Sequence, residues 1–384
     1  MMMLHRACTV AALLAFTASC APSAGFTVVH AKERGTFQAP HVVGRDGGAS
    51  FLSRAAGDVW IFGDTFIDVT DGDGSNFHSS SFNLAGASVH DVLTGPLTAP
   101  ADQTGAPQPF LTATDDERAF NLAHQQRADG TCAQDPCGGR FATWPGTTIA
   151  IGDDAFTFYN LIHADVGDFN FQGVGQSIAT WSLADAVPHP ARPVLGDAFA
   201  AHPTALFGAD EPGFGAAAAV DGDFVYAWAC DLTGLSVPCL LGRVQSDEIL
   251  ARSRWTFFDG TAFVDDVHQA KGVFDGAPIL TVQKRGARWL AVYSAPLSND
   301  VVARTASHPE GPWSDPVVLF SAHVPSGAAY DAYLHPELAS GCGELVVSYS
   351  RPTPNPFGSE TVIETVSIAG EFARGSATPE CAAP

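Results

Sequence analysis

The feature that most constrains the fold is a unit of short strands that recurs along the chain at roughly 50–70 residues. Each copy has a strand of small and apolar residues, a tight turn, a strand rich in aromatic and β-branched residues, and a third strand. The second strands of the five copies are DVWIFGDTFI (58–67), AFTFYNLIH (155–163), DFVYAWACD (223–231), RWLAVYSAP (288–296) and ELVVSYSRP (344–352). Five antiparallel meanders predict an all-β fold, a five-bladed β-propeller in a single domain. A β-sandwich, the competing all-β fold, does not account for five similar units.

The composition agrees with a fold of many strands and turns. Of the 384 residues 46% are hydrophobic, which suffices for a packed core, and 38 Gly with 26 Pro favour turns over long helices. The formal net charge of −22 lacks the basic footprint that nucleic acid requires, and it also disfavours an anionic membrane surface. We therefore expect neither nucleic acid nor a lipid surface as a direct partner. Solubility is the plainest reason for the acidity.

The first 20 residues have the layout of an export signal. An apolar run at 7–16 is followed by small residues, and it is too short to span a membrane as an ordinary helix. The letters TASC resemble a bacterial lipobox, so we predict that Cys20 is lipidated. Thr17 departs from that motif, which usually has Leu there, and ordinary cleavage after Ala21 is the alternative.

These features divide the chain into a signal peptide of the lipoprotein type at 1–20, a linker at 21–35 and the propeller at 36–375. The polar segment at 96–141 is typical of a long loop inserted between the first two blades. We expect an exported monomer, either a cell-envelope lipoprotein or a secreted protein. Its membrane contact would be made only through the lipid anchor.

Six cysteines of the mature chain can pair as three disulfides, which an exported protein favours. The expected pairs are Cys132 with Cys137, Cys230 with Cys239, and Cys342 with Cys381. The first two are local. Sequence alone does not fix the connectivity, so other pairings stay open.

Two aspartates meet at one rim of the predicted propeller. In a blade the first strand starts, and the second strand ends, at the same rim of the central channel. Counting outward from a hairpin turn at 54–57 puts Asp46 opposite Asp64 or one step away. Opposed like charges destabilise a structural ladder, but such a pair is useful where one carboxyl must stay protonated and the other ionised. We therefore predict that Asp46 and Asp64 are catalytic, the alternative being that Asp64 only caps a turn.

The same counting brings further polar and aromatic side chains to this rim. Such a mixture suits a sugar, whose rings stack on apolar faces and whose hydroxyls need fixed hydrogen-bond partners. Each residue alone is weak evidence, because a single Trp or Tyr is more often part of the core. The predicted substrate-binding residues are Trp144, Asn160, Asp331, Tyr333, His335 and Arg351.

Several stretches resemble a known family. They are GRDGGASFLSRAAGDVWIFGDTF, SSSFNLAGAS, GPWSDPVVLF and YDAYLHPELASGCGELVVSYSRP, and the resemblance covers about residues 36–370. The family is a group of bacterial propellers long catalogued as a domain of unknown function. Some of its members are endo-D-arabinofuranases, which cut the D-arabinan of mycobacterial cell walls. The resemblance implies a five-bladed propeller with a catalytic aspartate pair, which falls on Asp46 and Asp64.

The sequence thus predicts a glycoside hydrolase that acts within a furanose polymer such as D-arabinan, with one aspartate of the pair as general acid. A non-catalytic propeller that binds a glycan or a protein is the alternative. We expect no cofactor and no metal in the site. The acidic stretch DVTDGDGSN at 68–76 could hold a structural Ca²⁺, although it lacks the Gly and Glu of a complete calcium loop.

Overall fold

The protein is described here by a computed structural model that covers residues 23–373 apart from 96, 128, 168–169, 197–198, 200, 232–235, 326 and 355–357. Its strands form five antiparallel sheets, so the prediction of a five-bladed β-propeller is confirmed. In the described part of the chain, no helix is both long and apolar enough to cross a membrane.

The N-terminal strand is β1 (Phe26–Phe37). The strands of blade one then follow in order: β2 (Val42–Ser53), β3 (Gly57–Ile67), β4 (Phe77–His78) and β5 (Ser81–Ala85). In this blade β2 pairs with β3, and both β4 and β5 pair with the other edge of β3. Two helices lie between blades one and two: α1 (Val89–Thr94) and α2 (Asp115–His124).

Blades two and three continue the same meander. Blade two consists of β6 (Arg140–Ile151), β7 (Asp154–Ala164), β8 (Phe171–Ser182) and β9 (Phe207–Gly208). Blade three consists of β10 (Ala217–Asp221), β11 (Phe224–Cys230), β12 (Pro238–Gln245), β13 (Thr256–Phe258), β14 (Phe263–Val264) and β15 (Gly272–Asp275). Its connections contain three short 3₁₀ helices: Ser246–Glu248, Arg252–Arg254 and Val267–Gln269.

Blades four and five complete the ring. Blade four consists of β16 (Thr281–Arg285), β17 (Arg288–Ser294), β18 (Asp300–Ala306) and β19 (Val317–Ser321). Blade five has β20 (Tyr330–Leu334), β21 (Glu344–Pro352) and β22 (Ser359–Gly370), with a 3₁₀ helix at Pro336–Leu338. Its sheet is completed by β1, which pairs with β22.

The pairing of β1 with β22 corrects the predicted linker. Residues 26–35 are not a linker, because they form most of the outermost strand of blade five, in register from Phe26 opposite Gly370 to Phe37 opposite Thr361. Without β1, the edge of β22 would present a row of unpaired backbone groups. The two ends of the described chain therefore close the propeller together.

The core lies between neighbouring blades, and β3 shows why its sequence is almost continuously apolar. Val59 and Ile61 pack against blade two, whereas Trp60 and Phe62 pack against Phe37 and blade five. A strand buried on both faces reads as an apolar run rather than as an alternating pattern. The sheet is thereby held in place from both sides.

The segment predicted as a loop insertion is partly helical, which is a second correction. Thr114 caps α2: its side chain accepts from the backbone N–H of Glu117, and the Glu117 side chain accepts from the backbone N–H of Thr114. This reciprocal pair satisfies two N–H groups that would otherwise lack partners at the start of the helix.

Two of the expected disulfides are present: Cys132–Cys137 and Cys230–Cys239. The first staples the insertion, and the second joins facing residues of β11 and β12. Cys342 is also disulfide-bonded. Cys381 and Cys20 lie outside the described residues, so the third pair and the lipidation stay predictions.

Candidate active site

A cavity of about 640 Å³ lies at the rim of the propeller where the predicted residues gather. All five blades contribute to its lining. The residues that matter below are Asp46, Asp64, Trp144, Asn160, Phe171, Asp231, Asp331 and Tyr333. A cavity of this size with apolar surfaces and a few convergent polar groups is typical of a small-molecule or oligosaccharide site.

Asp46 and Asp64 are brought together by a β-bulge between β2 and β3. Arg45 pairs with Thr65, and the register shifts immediately afterwards, so that Asp46 lies opposite Gly63 and Asp64. A bulge adds one residue on one strand and re-aims the side chains around it. A Cβ at Gly63 would lie 4.0 Å from the Cβ of Asp46, so these two residues are close neighbours across the strands. The cross-strand placement expected from the sequence is therefore present.

The glycines that follow Asp46 are needed for this geometry. Gly47 has a φ of 80° and Gly48 a φ of 133°, values that residues with a Cβ rarely adopt. At Gly48 an added Cβ would also lie 3.0 Å from the side chain of Thr361 and 3.3 Å from that of Phe62. The backbone beside Asp46 thus depends on both glycines.

The carboxyl of Asp46 has its hydrogen-bond partners on one oxygen. The Tyr330 hydroxyl donates to Oδ1 at 2.5 Å. Oγ of Ser359 lies 3.1 Å from the same Oδ1, and its single proton is divided between this oxygen and the carbonyl of Arg45. Burial, and then the charge of Asp46, raise the pKa of Tyr330, so the phenol remains a donor. Among the described residues, none donates to Oδ2 of Asp46, which leaves that oxygen available to a ligand.

Asp64 has a different environment. The indole N–H of Trp144 donates to its Oδ1 at 2.7 Å, and Nη2 of Arg140 lies 3.6 Å from its Oδ2. Burial raises the pKa of Asp64 to about 6, against the lowering effects of Arg140 and Trp144, and the charge of Asp46 raises it further. A carboxyl with such a pKa keeps its proton in mildly acidic solution.

Asp331 is a third carboxyl in the same cavity. It lies in a register irregularity of β20 between Tyr330 and Tyr333, and its φ is 52°. Burial raises its pKa to about 7, and the charge of Asp46 contributes in the same direction. The sequence predicted Asp331 only as a substrate contact, whereas the structure places it in the same cavity and close enough to Asp46 for the two charges to interact.

Three other predicted contacts line the cavity. Trp144 and Asn160 are paired residues of β6 and β7, and Tyr333 projects from β20. The counting of strand ends therefore located these positions correctly. Their roles in binding stay predictions.

Two predicted contacts are misplaced. His335 is fully buried, stacks on Trp60 with ring centroids 4.3 Å apart, and has Ser50 and Ser348 as its hydrogen-bond partners. It lies outside the cavity lining because β20 ends at Leu334 and the chain then turns into a 3₁₀ helix.

Arg351 is also absent from the lining. It makes ion pairs with Glu33 on β1 and Glu360 on β22. Its partners lie on the two outer strands of blade five, so its charge is engaged there. His335 and Arg351 are therefore corrected from substrate contacts to structural residues.

Sequence reasoning missed several residues of the site. Phe171 is 46% exposed, lines the cavity and meets Trp144 edge to face, with ring centroids 4.9 Å apart. Asp231 directly follows β11 and lines the cavity. The rule of strand ends that found Asp64 could have found Asp231 as well, but nothing in the sequence connects Arg140 with Asp64.

The acidic loop at 68–76 and α2 form part of the wall of a second cavity, of about 720 Å³. Oδ1 of Asp71 accepts the backbone N–H groups of Asp73 and Ser75, so the loop uses this oxygen itself. A calcium ion there stays a prediction. In the described ranges, one group has the spacing of metal ligands, and two of its members form a disulfide: Cys132, Asp135 and Cys137.

Comparison with solved structures shows the fold of the chain. A proposed hydrolase from Bacteroides ovatus ATCC 8483 matches with a TM-score of 0.59 at 16% identity, over 86% of this chain and 87% of that one. Lower scores are found for a GH43_1 enzyme from Xanthomonas citri complexed with xylotriose (0.46, 12% identity, 90% and 96% covered). The α-L-arabinofuranosidase PaAbf62A from Podospora anserina matches with a TM-score of 0.45 at 9% identity, over 88% of this chain and 96% of that one.

No curated protein matches the sequence. A family model does match, at residues 33–352, and it is described as a domain of unknown function, DUF4185. This match agrees with the resemblance seen in the sequence. Because it spans most of the chain, the protein belongs to the DUF4185 family.

Proposed function

We propose that this protein is an exported glycoside hydrolase that cuts within a furanose polymer such as D-arabinan. The observation that supports this most is the pair Asp46 and Asp64, two adjacent carboxyls with different partners in one open cavity. Glycoside hydrolysis uses two such groups, one to protonate the leaving oxygen and one to act as base or nucleophile.

The partners of the two carboxyls suggest their roles. Asp64 is the general acid, since burial raises its pKa to about 6 and lets it keep a proton for the glycosidic oxygen. Asp46 is the base or nucleophile, since Tyr330 donates to Oδ1 and Oδ2 can face a water molecule or the anomeric carbon.

The remaining lining suits a sugar chain. Trp144 and Phe171 present aromatic surface on which a ring can stack, and the Asn160 amide can pair with hydroxyl groups. The choice of a furanose polymer rests on the family resemblance of the sequence. The two disulfides Cys132–Cys137 and Cys230–Cys239 agree with export of the protein, because such bonds persist in oxidising compartments.

The test is incubation of the protein with a panel of cell-wall glycans that includes mycobacterial arabinogalactan, followed by sizing of the products. We expect oligosaccharides of mixed length from an arabinan, as internal cleavage produces. Single sugars released from chain ends would contradict the endo mode. A complete lack of products across the panel would contradict the hydrolase function.

A further inference from the structure

The backbone of Asp331 has a conformation that needs an explanation. Among the described residues other than glycine, three have a positive φ: His41 at 61°, Leu297 at 56° and Asp331 at 52°. His41 and Leu297 lie in turns, where this conformation is common. Asp331 lies within a strand, where it is unfavourable and persists only if the surrounding structure holds it.

The conformation changes which side chains share a face of β20. Tyr330 pairs with Ser350 of β21. The next pair along is Tyr333 with Ser348, so β20 advances by three residues while β21 advances by two. Asp331 lies within this extra length. The strand therefore has a bulge at Asp331.

The bulge brings two consecutive side chains to Asp46. In a regular strand, neighbouring residues point to opposite faces, so that one of Tyr330 and Asp331 would turn away. Here the Tyr330 hydroxyl donates to Asp46, while the Asp331 carboxyl lines the cavity within reach of the charge of Asp46. A tyrosine and a carboxyl thus converge on one aspartate.

In the part of the chain that the structure describes, no cation lies beside Asp331. Among the described residues, Asp46 on β2 is the charged group that acts on it, and no hydrogen bond to its carboxyl is made. Of two carboxyls close together, each makes ionisation of the other less favourable. Asp46 accepts the Tyr330 hydroxyl, whereas no donor or cation among the described residues pairs with the Asp331 carboxyl. The proton then belongs on Asp331, whose pKa burial raises to about 7.

We propose that Asp331 is a third carboxyl of the catalytic centre, which carries a proton and donates a hydrogen bond to a hydroxyl group of the sugar at the bond to be cleaved. This inference rests on the proposed hydrolase function and deepens it. The strained conformation is retained because it points the carboxyl into the cavity. Asp331 is therefore kept for binding at a cost in backbone energy.

Two variants of Asp331 test whether the site needs a hydrogen-bond donor at this position. Asn accepts a positive φ and can donate from its amide, so Asp331→Asn should lower kcat/KM by less than about tenfold. Gly fits the backbone but has no donor, so Asp331→Gly should lower kcat/KM by about 30-fold or more, with an unchanged or higher melting temperature. Leu297→Gly is the matched control, because it relieves the same strain at a residue that is 91% exposed. It should leave kcat/KM unchanged.

The pH profile gives a readout that a structural role would not change. If the active enzyme needs protons on both Asp64 and Asp331, log(kcat/KM) of the wild type falls with a slope of two above about pH 7. In Asp331→Asn, log(kcat/KM) should fall with a slope of only one over the same pH range, because Asp64 is then the single group that must keep its proton. Wild-type activity in Asp331→Gly, or equal losses in the Asn and Gly variants, would overturn the inference alone. A wild type that cleaves no glycan would overturn the proposed function and this inference together.

Discussion

Acidic side chains are gathered in two regions of this propeller, and the two regions differ in what can reach them. Asp46, Asp64 and Asp331 line the open cavity. Asp58 and Glu337 lie between blades one and five, where Asp58 is fully buried and its pKa is raised well above the ordinary range by burial and then by Glu337. A raised pKa is thus present in both regions and does not by itself identify a site.

The buried region is a closed network, which we call the junction network. It consists of Ser50, Asp58, Trp60, His335 and Glu337. The Trp60 indole donates to Asp58 at 2.7 Å, while the Ser50 hydroxyl meets His335 at 2.5 Å and also donates to Glu337. None of the five lines the cavity. Access to a ligand, rather than acidity, is therefore the property that separates the proposed catalytic carboxyls from the structural ones.

The largest expected effect is on hydrolysis. Asp64→Asn keeps the size of the side chain but cannot donate a proton to the leaving oxygen, so kcat/KM should fall by at least about 100-fold. Asp58→Asn is the matched control on the same strand and should stay within about twofold of the wild type. Initial rates on an arabinan measure both. An active Asp64 variant would remove that residue from the mechanism. An inactive but folded Asp58 variant would contradict the distinction between the cavity carboxyls and those of the junction network.

Asp64→Asn should also stabilise the protein at neutral pH. The pKa of Asp64 is about 6 in the folded protein, and about 3.9 is normal for an unfolded Asp. The folded state therefore binds this proton more tightly, and the wild type loses stability as the pH rises from about 4 to about 6. At pH 7 the variant should gain up to about 3 kcal/mol of unfolding free energy, and almost nothing at pH 4. Denaturant titrations at both pH values test this, and an equal gain at both would contradict the raised pKa.

In the junction network the expected loss is one of stability. Ser50→Ala removes the hydroxyl shared by His335 and Glu337, and it leaves buried polar atoms without a partner. The free energy of unfolding should fall by about 1–3 kcal/mol while kcat/KM is kept. Ser367→Ala, whose hydroxyl meets His30 in an exposed pair, should cost less than about 0.5 kcal/mol. If Ser50→Ala impairs catalysis at full stability, the network is part of the site.

The smallest expected effect is a shift in the pH profile. Arg140 lowers the pKa of Asp64, so Arg140→Gln should raise it and move the alkaline limb of kcat/KM from near pH 6 to higher pH by up to about one unit. Arg54→Gln is the control, because Arg54 pairs with Asp153 at an exposed position. A limb that moves to lower pH in Arg140→Gln would show that Asp64 is not the group that titrates.

The blades and the aspartate pair could be predicted from the sequence because both depend on local pairing. A hairpin of known turn fixes its own register to within a residue, so counting from the turn at 54–57 placed Asp46 beside Asp64. Helix α2 was also readable, since Thr114 and Glu117 have the spacing of a capping box. That signal was missed within a polar segment.

The errors come from irregular backbone and from distant pairing. The sequence analysis placed Asp331, Tyr333 and His335 at one rim, but it included neither the bulge at Asp331 nor the end of the strand at Leu334, after which His335 lies outside the cavity lining. A bulge has no reliable sequence signature when its residue is not glycine. The pairing of β1 with β22 could not be predicted either, because the local sequence of residues 26–37 does not indicate which distant strand they pair with.

The closure of the ring by β1 also has a consequence for how the chain folds. Thr27 and Ala369 are neighbours in the sheet although 342 positions separate them. Such a contact carries a high entropic cost of loop closure, and it forms only after the C-terminal strand has been made. Until then β1 is an unpaired strand that can join another chain.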